Sequence, residues 1–343
     1  MVKYTFKRLA LAIVTTIIIL SLTFILVKQL PLEMPAMKDS TKIAYYEEQK
    51  RLGYYDRFDL PQKDRGPVAD QGLANQGIYY YKVPVMRQYL SWVKNIVTKW
   101  DWGTSIKIKT NVSVGVIIKE RIWKSMRVNI ISVIVSVPTG IALGIWAALK
   151  KNTITDHIIS TMVMIFISIP SFVLISFVLK IFCYDLGWLP SKWPPVTASM
   201  GQKILGYIVP VFCLSFGSIC GYCRFIRAEL CEVMESEYLL LARTKGLTRK
   251  QAIIRHALKN AMVPIFPSIL AEFIGIFGGS MILEHIYGIA GIGDLFITAL
   301  NAKDYNVLFV DMAIFTTASL VAGVFLDLSY GFIDPRIRMG AKK

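Results

Sequence analysis

An all-α, polytopic membrane protein with six transmembrane helices and a large extracellular segment after the first is the fold class this sequence predicts, on three observations. Of its 343 residues, 54% are hydrophobic, a composition too apolar for an ordinary soluble domain. The apolar residues are gathered into six runs, 9–27, 128–149, 158–181, 204–223, 263–283 and 307–326. Each is long enough, at about 1.5 Å per residue, to cross about 30 Å of hydrocarbon. The first two runs are separated by a long polar stretch, 28–127, too polar to be another span.

The chain accordingly divides into an N-terminal transmembrane helix (1–27), an extracellular segment with its approach to span two (28–127), a five-helix core (128–333) and a short tail (334–343). Lys3, Lys7 and Arg8 precede the first run, as they would in a secretory leader. The run is long, however, and no small-residue cleavage site follows it, so it reads as a retained anchor. Within 28–127, Met34 to Val83 is rich in Tyr, Asp, Lys and Gln and carries turn signals at Gly53, Gly66-Pro67 and Asn75-Gln-Gly77, enough for a small external cap. Tyr79, Tyr80, Tyr81, Trp92, Trp100 and Trp102 crowd the approach to span two, where amphipathic rings suit a headgroup-level belt.

Span two carries Gly140, Gly144 and Ala148 at every fourth position, and span five carries Gly275 and Gly279 at the same spacing. Both stripes predict helix-packing faces. Pro138 and Pro170 interrupt spans two and three, which lipid tolerates only where neighbours or water satisfy the freed carbonyls. A bundle with an interior follows.

Orientation comes from short-loop cations. Lys150 and Lys151 follow span two, and Arg243, Lys245, Arg249, Lys250, Arg255 and Lys259 lie between spans four and five, which predicts these loops and both termini to be cytoplasmic. The formal net charge of +16 does not point to nucleic acid. Its cations are spread along the chain, with no basic stripe interleaved with aromatics.

The loop at about 224–262 is the most informative stretch. Gly246 supplies the left-handed residue that ends one short helix, and Thr248-Arg-Lys-Gln251 is a capping box that opens another, so the chain turns a sharp corner. Ala242 and Gly246, four residues apart, are expected on one helix face that a neighbour can approach closely, flanked by Arg243 and Lys245. Such a corner suits an acidic cleft on a soluble partner.

Catalytic signatures are missing: there is no phosphate loop, no His-Glu-x-x-His and no Gly-x-Ser-x-Gly, so no catalytic residue, cofactor or metal is assigned. Gly288-Ile-Ala-Gly291-Ile-Gly293 follows a membrane span rather than a strand and is not a dinucleotide loop. Cys220-x-x-Cys223 lacks a second pair or clustered His, and Cys183, Cys213 and Cys231 stand apart; small apolar packing accounts for them. His157, His256 and His285 fall in three different loops or loop edges, and none pairs with a carboxylate and nucleophile at a readable spacing. Acids near membrane depth are costly and face a polar interior, which makes Glu272 in mid-span five and Glu284 at its outer end pathway candidates. Asp311 and Asp327 are read as interfacial and solvated.

Taken in order, Asp101-Trp-Gly-Thr-Ser105, Ile169-Pro-Ser-Phe172, Leu186-Gly-Trp-Leu-Pro190, Ala242-Arg-Thr-Lys-Gly246-Leu247, His256-Ala-Leu-Lys-Asn260-Ala261, Pro264, Glu284, Gly291-Ile-Gly293, Asp304-Tyr305 and Asp334-Pro-Arg-Ile-Arg338 make the chain resemble permease subunits of bacterial peptide-type ABC importers, the oligopeptide/dipeptide permease B class. The resemblance covers nearly the whole chain. It implies a type I importer permease fold in the bacterial cell membrane, and a coupling helix at the basic corner with Leu241, Ala242, Arg243, Lys245, Gly246, Leu247 and Arg255 as contacts. Leu240-Leu241-Ala242 stands where the broader family has Glu-Ala-Ala, and Ala290 where it often has proline. It further implies a second homologous permease subunit, two cytoplasmic ATP-binding subunits that carry the ATP chemistry, an extracellular substrate-binding protein and a peptide substrate. An importer of nickel or metal chelates shares the fold. A channel or receptor-like membrane protein that works without ATP is the alternative of a different class.

Overall fold

The structure is a computed structural model and describes residues 2–30 and 38–333. The tail from Asp334 onward and the start of the expected cap at Met34 lie outside the described residues. In chain order the helices are α1 Val2–Gln29, α2 Asp39–Arg51, α3 Gln71–Ala74, α4 Val85–Lys99, α5 Val114–Leu149, α6 Ile154–Ile167, α7 Ser171–Val178, α8 Met200–Met234, α9 Glu237–Thr244, α10 Arg249–Ala252, α11 Leu258–Ala261, α12 Phe266–Gly275, α13 Met281–Tyr287, α14 Ile292–Ala302 and α15 Tyr305–Ile333. Two strands, β1 Tyr55–Phe58 and β2 Tyr79–Lys82, pair antiparallel with Tyr55 opposite Lys82 and Phe58 opposite Tyr79. The described chain is mostly helical, as expected, and this short ribbon, whose tyrosine-rich sequence is a strand signal, is an addition to it.

Among the described residues, four stretches are single helices long and apolar enough to cross a membrane: Thr5–Gln29, Val114–Leu149, Met200–Met234 and Tyr305–Ser329. Spans three and five of the sequence reading are not straight. In span three Ile154–Ile167 meets Ser171–Asp185 at 102°, in span five Arg249–Ala261 meets Phe266–Gly278 at 53°, and a third bent pair, Met281–Tyr287 against Ile292–Ala302 at 83°, lies largely between the runs of spans five and six. The first break falls at Pro170, which caps α7, because proline cannot donate a backbone hydrogen bond and restricts the residue before it. Along α1 the apolar side chains Leu11, Ile17, Leu22 and Leu26 are exposed, a surface that suits hydrocarbon rather than water.

The chain forms two compact units. Among the described residues, the first comprises 122–294 with 2–10 and 318–333. Its spine is α5 against α8. A Cβ placed on Gly140 would sit 2.7 Å from Tyr222 Cβ, and one on Gly144 would sit 2.7 Å from Ile226 Cβ. The expected glycine stripe of span two is therefore a close backbone approach, and Ser132 and Ser215 hydrogen bond across the same seam at 3.0 Å. The contacts advance together along both helices, so α5 and α8 run parallel.

α6 joins this spine through Asp156, which is fully buried and receives Arg227 Nη2 at 2.7 Å. Cys220 and Cys223 pack with Val163, Leu143 and Phe166, as small apolar residues do. The second glycine stripe is corrected. α12 stops at Gly275, which has nothing near it, and Gly279 lies outside the helix with φ +63°. Arg8 pairs with Asp327 at 3.0 Å, an ion pair added to the solvated position expected of that aspartate.

The second unit comprises, among the described residues, 11–30, 38–121 and 295–317. Its interior is aromatic: Tyr80 stacks on Tyr46 with centroids 4.7 Å apart, and Trp92 meets Phe24 at 5.0 Å and Phe309 at 5.1 Å. Tyr80, Tyr81 and Trp92 are buried here, so the expected interfacial belt is in large part a core, with Trp100 left exposed. The segment has enough apolar rings to build a folded centre of its own. Asp304 ties its two pieces together. One carboxylate oxygen accepts from Ser105 Oγ at 2.6 Å and from the amides of Ile106, Lys107 and Ile108 at 3.0, 2.9 and 3.1 Å. Asp311 is also fully buried, which overturns its reading as a solvated interfacial acid.

Candidate functional site

The basic corner forms as its punctuation predicts. α9 ends with Gly246 at φ +96°, with Gly246 N–H donating to Arg243 O at 3.0 Å and Leu247 N–H to Ala242 O at 3.4 Å. This is the paired Schellman termination, and Leu247 supplies its apolar contact by packing on the cluster around Leu239, Ala252 and Ala257. Thr248 then opens α10: Gln251 N–H donates to Thr248 Oγ1 at 3.3 Å and Thr248 N–H to Gln251 Oε1 at 3.0 Å. The expected shared face of Ala242 and Gly246 is corrected. Gly246 lies one residue past the cap of α9, and a side chain there would meet open space.

Leu239 and Leu247 hold the corner to the unit, while the opposite side is offered outward. Leu241, Arg243, Lys245, Arg249, Lys250 and Arg255 are exposed, as is Leu240, and Ala242 is partly covered. Arg255 sits in the π-helical turn Ile253–Ala257. The corner thus combines an apolar edge with a surrounding set of cations, on a backbone held at both ends of the turn.

Glu272, half-buried on α12, accepts from Ser136 Oγ at 3.2 Å and shares a cavity with Tyr222. It lines an open cavity of about 740 Å³ together with Ser218, Gly221, Arg224, Phe225, Ala228 and Ser268. Ser136, Tyr222, Ser218 and Arg224 are companions of Glu272 that spacing along the chain does not reveal. Their signal was present as polar residues within or at the end of apolar runs, but the pairing of α5, α8 and α12 that gathers them was not.

Glu284 has a different environment. It is 2% exposed; Oε2 accepts from Gly293 N–H at 2.8 Å and Asp294 N–H at 3.2 Å, while Oε1 accepts from Ser280 N–H at 3.2 Å. Ser125 Oγ accepts from Ile292 N–H at 2.8 Å. The orphan donors at the start of α14 are thereby satisfied by side chains from elsewhere. Gly291 and Gly293 are crowded by Glu284, Ser125 and the Met281 backbone so that neither can carry a Cβ. The glycine-rich stretch is a seat for a protein carboxylate. His285 Nδ1 lies 2.9 Å from Asp294 on the exposed side of this lock, a pairing that nine-residue spacing does not announce.

Among the described residues, four apolar helices of membrane-crossing length and three bent helix pairs, with α5 and α8 packed through glycine, define a multi-pass membrane protein. Residues 140–339 match the family model described as binding-protein-dependent transport system inner membrane component, and the chain belongs to that family. It is similar to the oligopeptide transport system permease protein OppB of Haemophilus influenzae, 29% identical over 98% of this chain and 100% of the relative. The dipeptide transport system permease protein DppB of Bacillus subtilis is 29% identical over the full length of both. OppB of Escherichia coli is 33% identical over 76% of this chain and 83% of its own.

Proposed function

We propose that the chain is a permease subunit of an ATP-driven importer of oligopeptides or dipeptides. Full-length similarity to the oligopeptide and dipeptide permeases supports the substrate class. The observation that carries the coupling is the corner itself, a doubly capped turn that presents Leu241, Arg243, Lys245 and Arg255 outward.

In this reading the chain makes the path with a second permease, and a cytoplasmic ATPase docks on each coupling corner. An external binding protein delivers the peptide. Both termini lie in the cytoplasm, the chain crosses six times with its bent helix pairs inside the bundle, and the 28–127 segment is external. Closure of the ATPases moves the corner as a rigid lever and exchanges inward for outward access, a two-state element biased by nucleotide. Glu272 lines the path. Glu284 keeps the turn between α13 and α14 in shape beside it.

Co-purification tests this. The tagged chain should capture its cytoplasmic ATPases from membranes, and Gly246→Trp should abolish capture while leaving insertion intact. Failure of both forms to capture an ATPase would point instead to a channel or receptor.

A further inference from the structure

We propose that the rim of the first unit, where the apolar runs of α5 and α8 begin, is a binding site for an anionic phospholipid. Lys124 and Arg127 lie three residues apart on α5, and Lys203 and Tyr207 four apart on α8, so each pair shares a helix face. All four line one cavity of about 440 Å³, together with Trp193, Pro194, Pro195, Val196, Met200 and Ile204. No acid is among the described residues that line it, and none of the three cations has an ion-pair partner among the described residues.

Depth follows from the parallel pairing of the helices. Arg127 immediately precedes the apolar run of α5 and Lys203 that of α8, which places the cations at headgroup level. Trp193 and Tyr207 meet edge to face at 4.9 Å, and such amphipathic rings favour the same depth. Trp193 is held in place by its own amide, which donates to Tyr287 O at 2.9 Å.

The occupant must match both halves of the site. Three cations converging without a counter-charge select a phosphodiester with net negative charge over one whose headgroup carries its own cation. Beyond Lys203, Ile204, Ile208 and Phe212 are exposed at successive fourth positions of α8, an apolar track that leads from the cations along the membrane-length part of the helix. A soluble anion would use the cations and leave that track bare. The inference rests on the membrane placement that the family carries and not on the peptide reading, so either can fail alone.

The test uses the full chain reconstituted in nanodiscs of phosphatidylglycerol and phosphatidylcholine in equal parts, then released into detergent for native mass spectrometry. Wild type should retain phosphatidylglycerol selectively. The triple variant Lys124→Gln/Arg127→Gln/Lys203→Gln should lose retention by about ten-fold or more, whereas Arg249→Gln/Lys250→Gln/Lys259→Gln, which removes equal charge at the corner, should not. Lys124→Arg/Lys203→Arg should keep the lipid, separating charge from folding. Should the triple variant misfold, Lys124→Gln and Lys203→Gln are measured singly and each should lower retention. Equal retention of both lipids by wild type, unchanged retention in the cavity variants, or displacement of the lipid by inorganic phosphate as readily as by phosphatidylglycerol would each overturn the proposal.

Discussion

Glu284 and Gly293 are joined by a buried hydrogen bond of 2.8 Å from backbone amide to carboxylate, nine residues apart across the turn that sets α14 on its course. A carboxylate at a helix N-terminus satisfies orphan donors and meets the positive end of the helix dipole. The tight fit explains why glycines surround it.

Glu284→Ala should destabilise the protein by about 3 kcal/mol, since three backbone donors lose a charged acceptor in a buried site. Thermal unfolding in detergent measures this. Gly291→Ala should be of similar severity because its Cβ has no room, while Gly288→Ala, left-handed at φ +75° but facing open space, should cost about 1 kcal/mol. Equal effects of the two alanines would contradict the packing described.

The α5–α8 seam predicts a contrast between glycines on one helix pair. Gly144→Ala should destabilise by about 1–3 kcal/mol through overpacking against Ile226. Gly217→Ala, in the interior of α8 with nothing near it, should stabilise by about 0.5–1 kcal/mol through helix propensity. Denaturant titration of both variants in the same detergent decides it.

Thr248→Ala removes the capping box at the corner and should cost about 1 kcal/mol of local stability. The change should be read by hydrogen exchange at α10, where faster exchange of Gln251 is expected. If the corner is the proposed coupling element, transport should fall with it; unaltered exchange would show that the cap does not hold the corner.

Glu272→Gln keeps the size of the side chain and removes its charge. Uptake rate or selectivity among peptides should change while ATPase capture stays at the wild-type level. A profile identical to wild type would take Glu272 off the path.

Acid should act on the second unit through Glu47. The hydrogen bond from Arg57 holds this carboxyl below its ordinary value of 4.5, with the Tyr80 hydroxyl adding to the effect. A group whose folded pKa is depressed contributes stability above its unfolded value and loses it as pH falls through the folded one. The aromatic cluster around Tyr46 and Tyr80 should therefore weaken as pH drops below about 4.5. Near-ultraviolet dichroism follows the loss, and Glu47→Gln should flatten that acid limb.

Much was legible in the residues alone because it is local. Membrane residence follows from apolar runs, the corner from Gly246 and Thr248-x-x-Gln251, and the α5 packing face from Gly140 and Gly144, each of which needs only neighbours along the chain. Glu272 as a polar-interior candidate was visible by the same logic, since a carboxylate at that depth is costly wherever it sits.

Other features depended on distant partners. Tyr80 and Trp92 became a core instead of a belt because Tyr46, Phe24 and Phe309 come to meet them, and Asp304 closes on Ser105 across the length of the chain. Gly275 and Gly279 failed as a stripe since the backbone leaves the helix between them, an outcome that spacing cannot register. Sequence by itself determined the solvent, the four unbroken membrane-length helices and the punctuation of the corner, because transfer energy, capping and turn conformation act over a few residues. Tertiary structure alone decided which acids face a cavity and which are spent on caps, because a carboxylate's role is set by the donors that reach it, and those come from elsewhere in the fold.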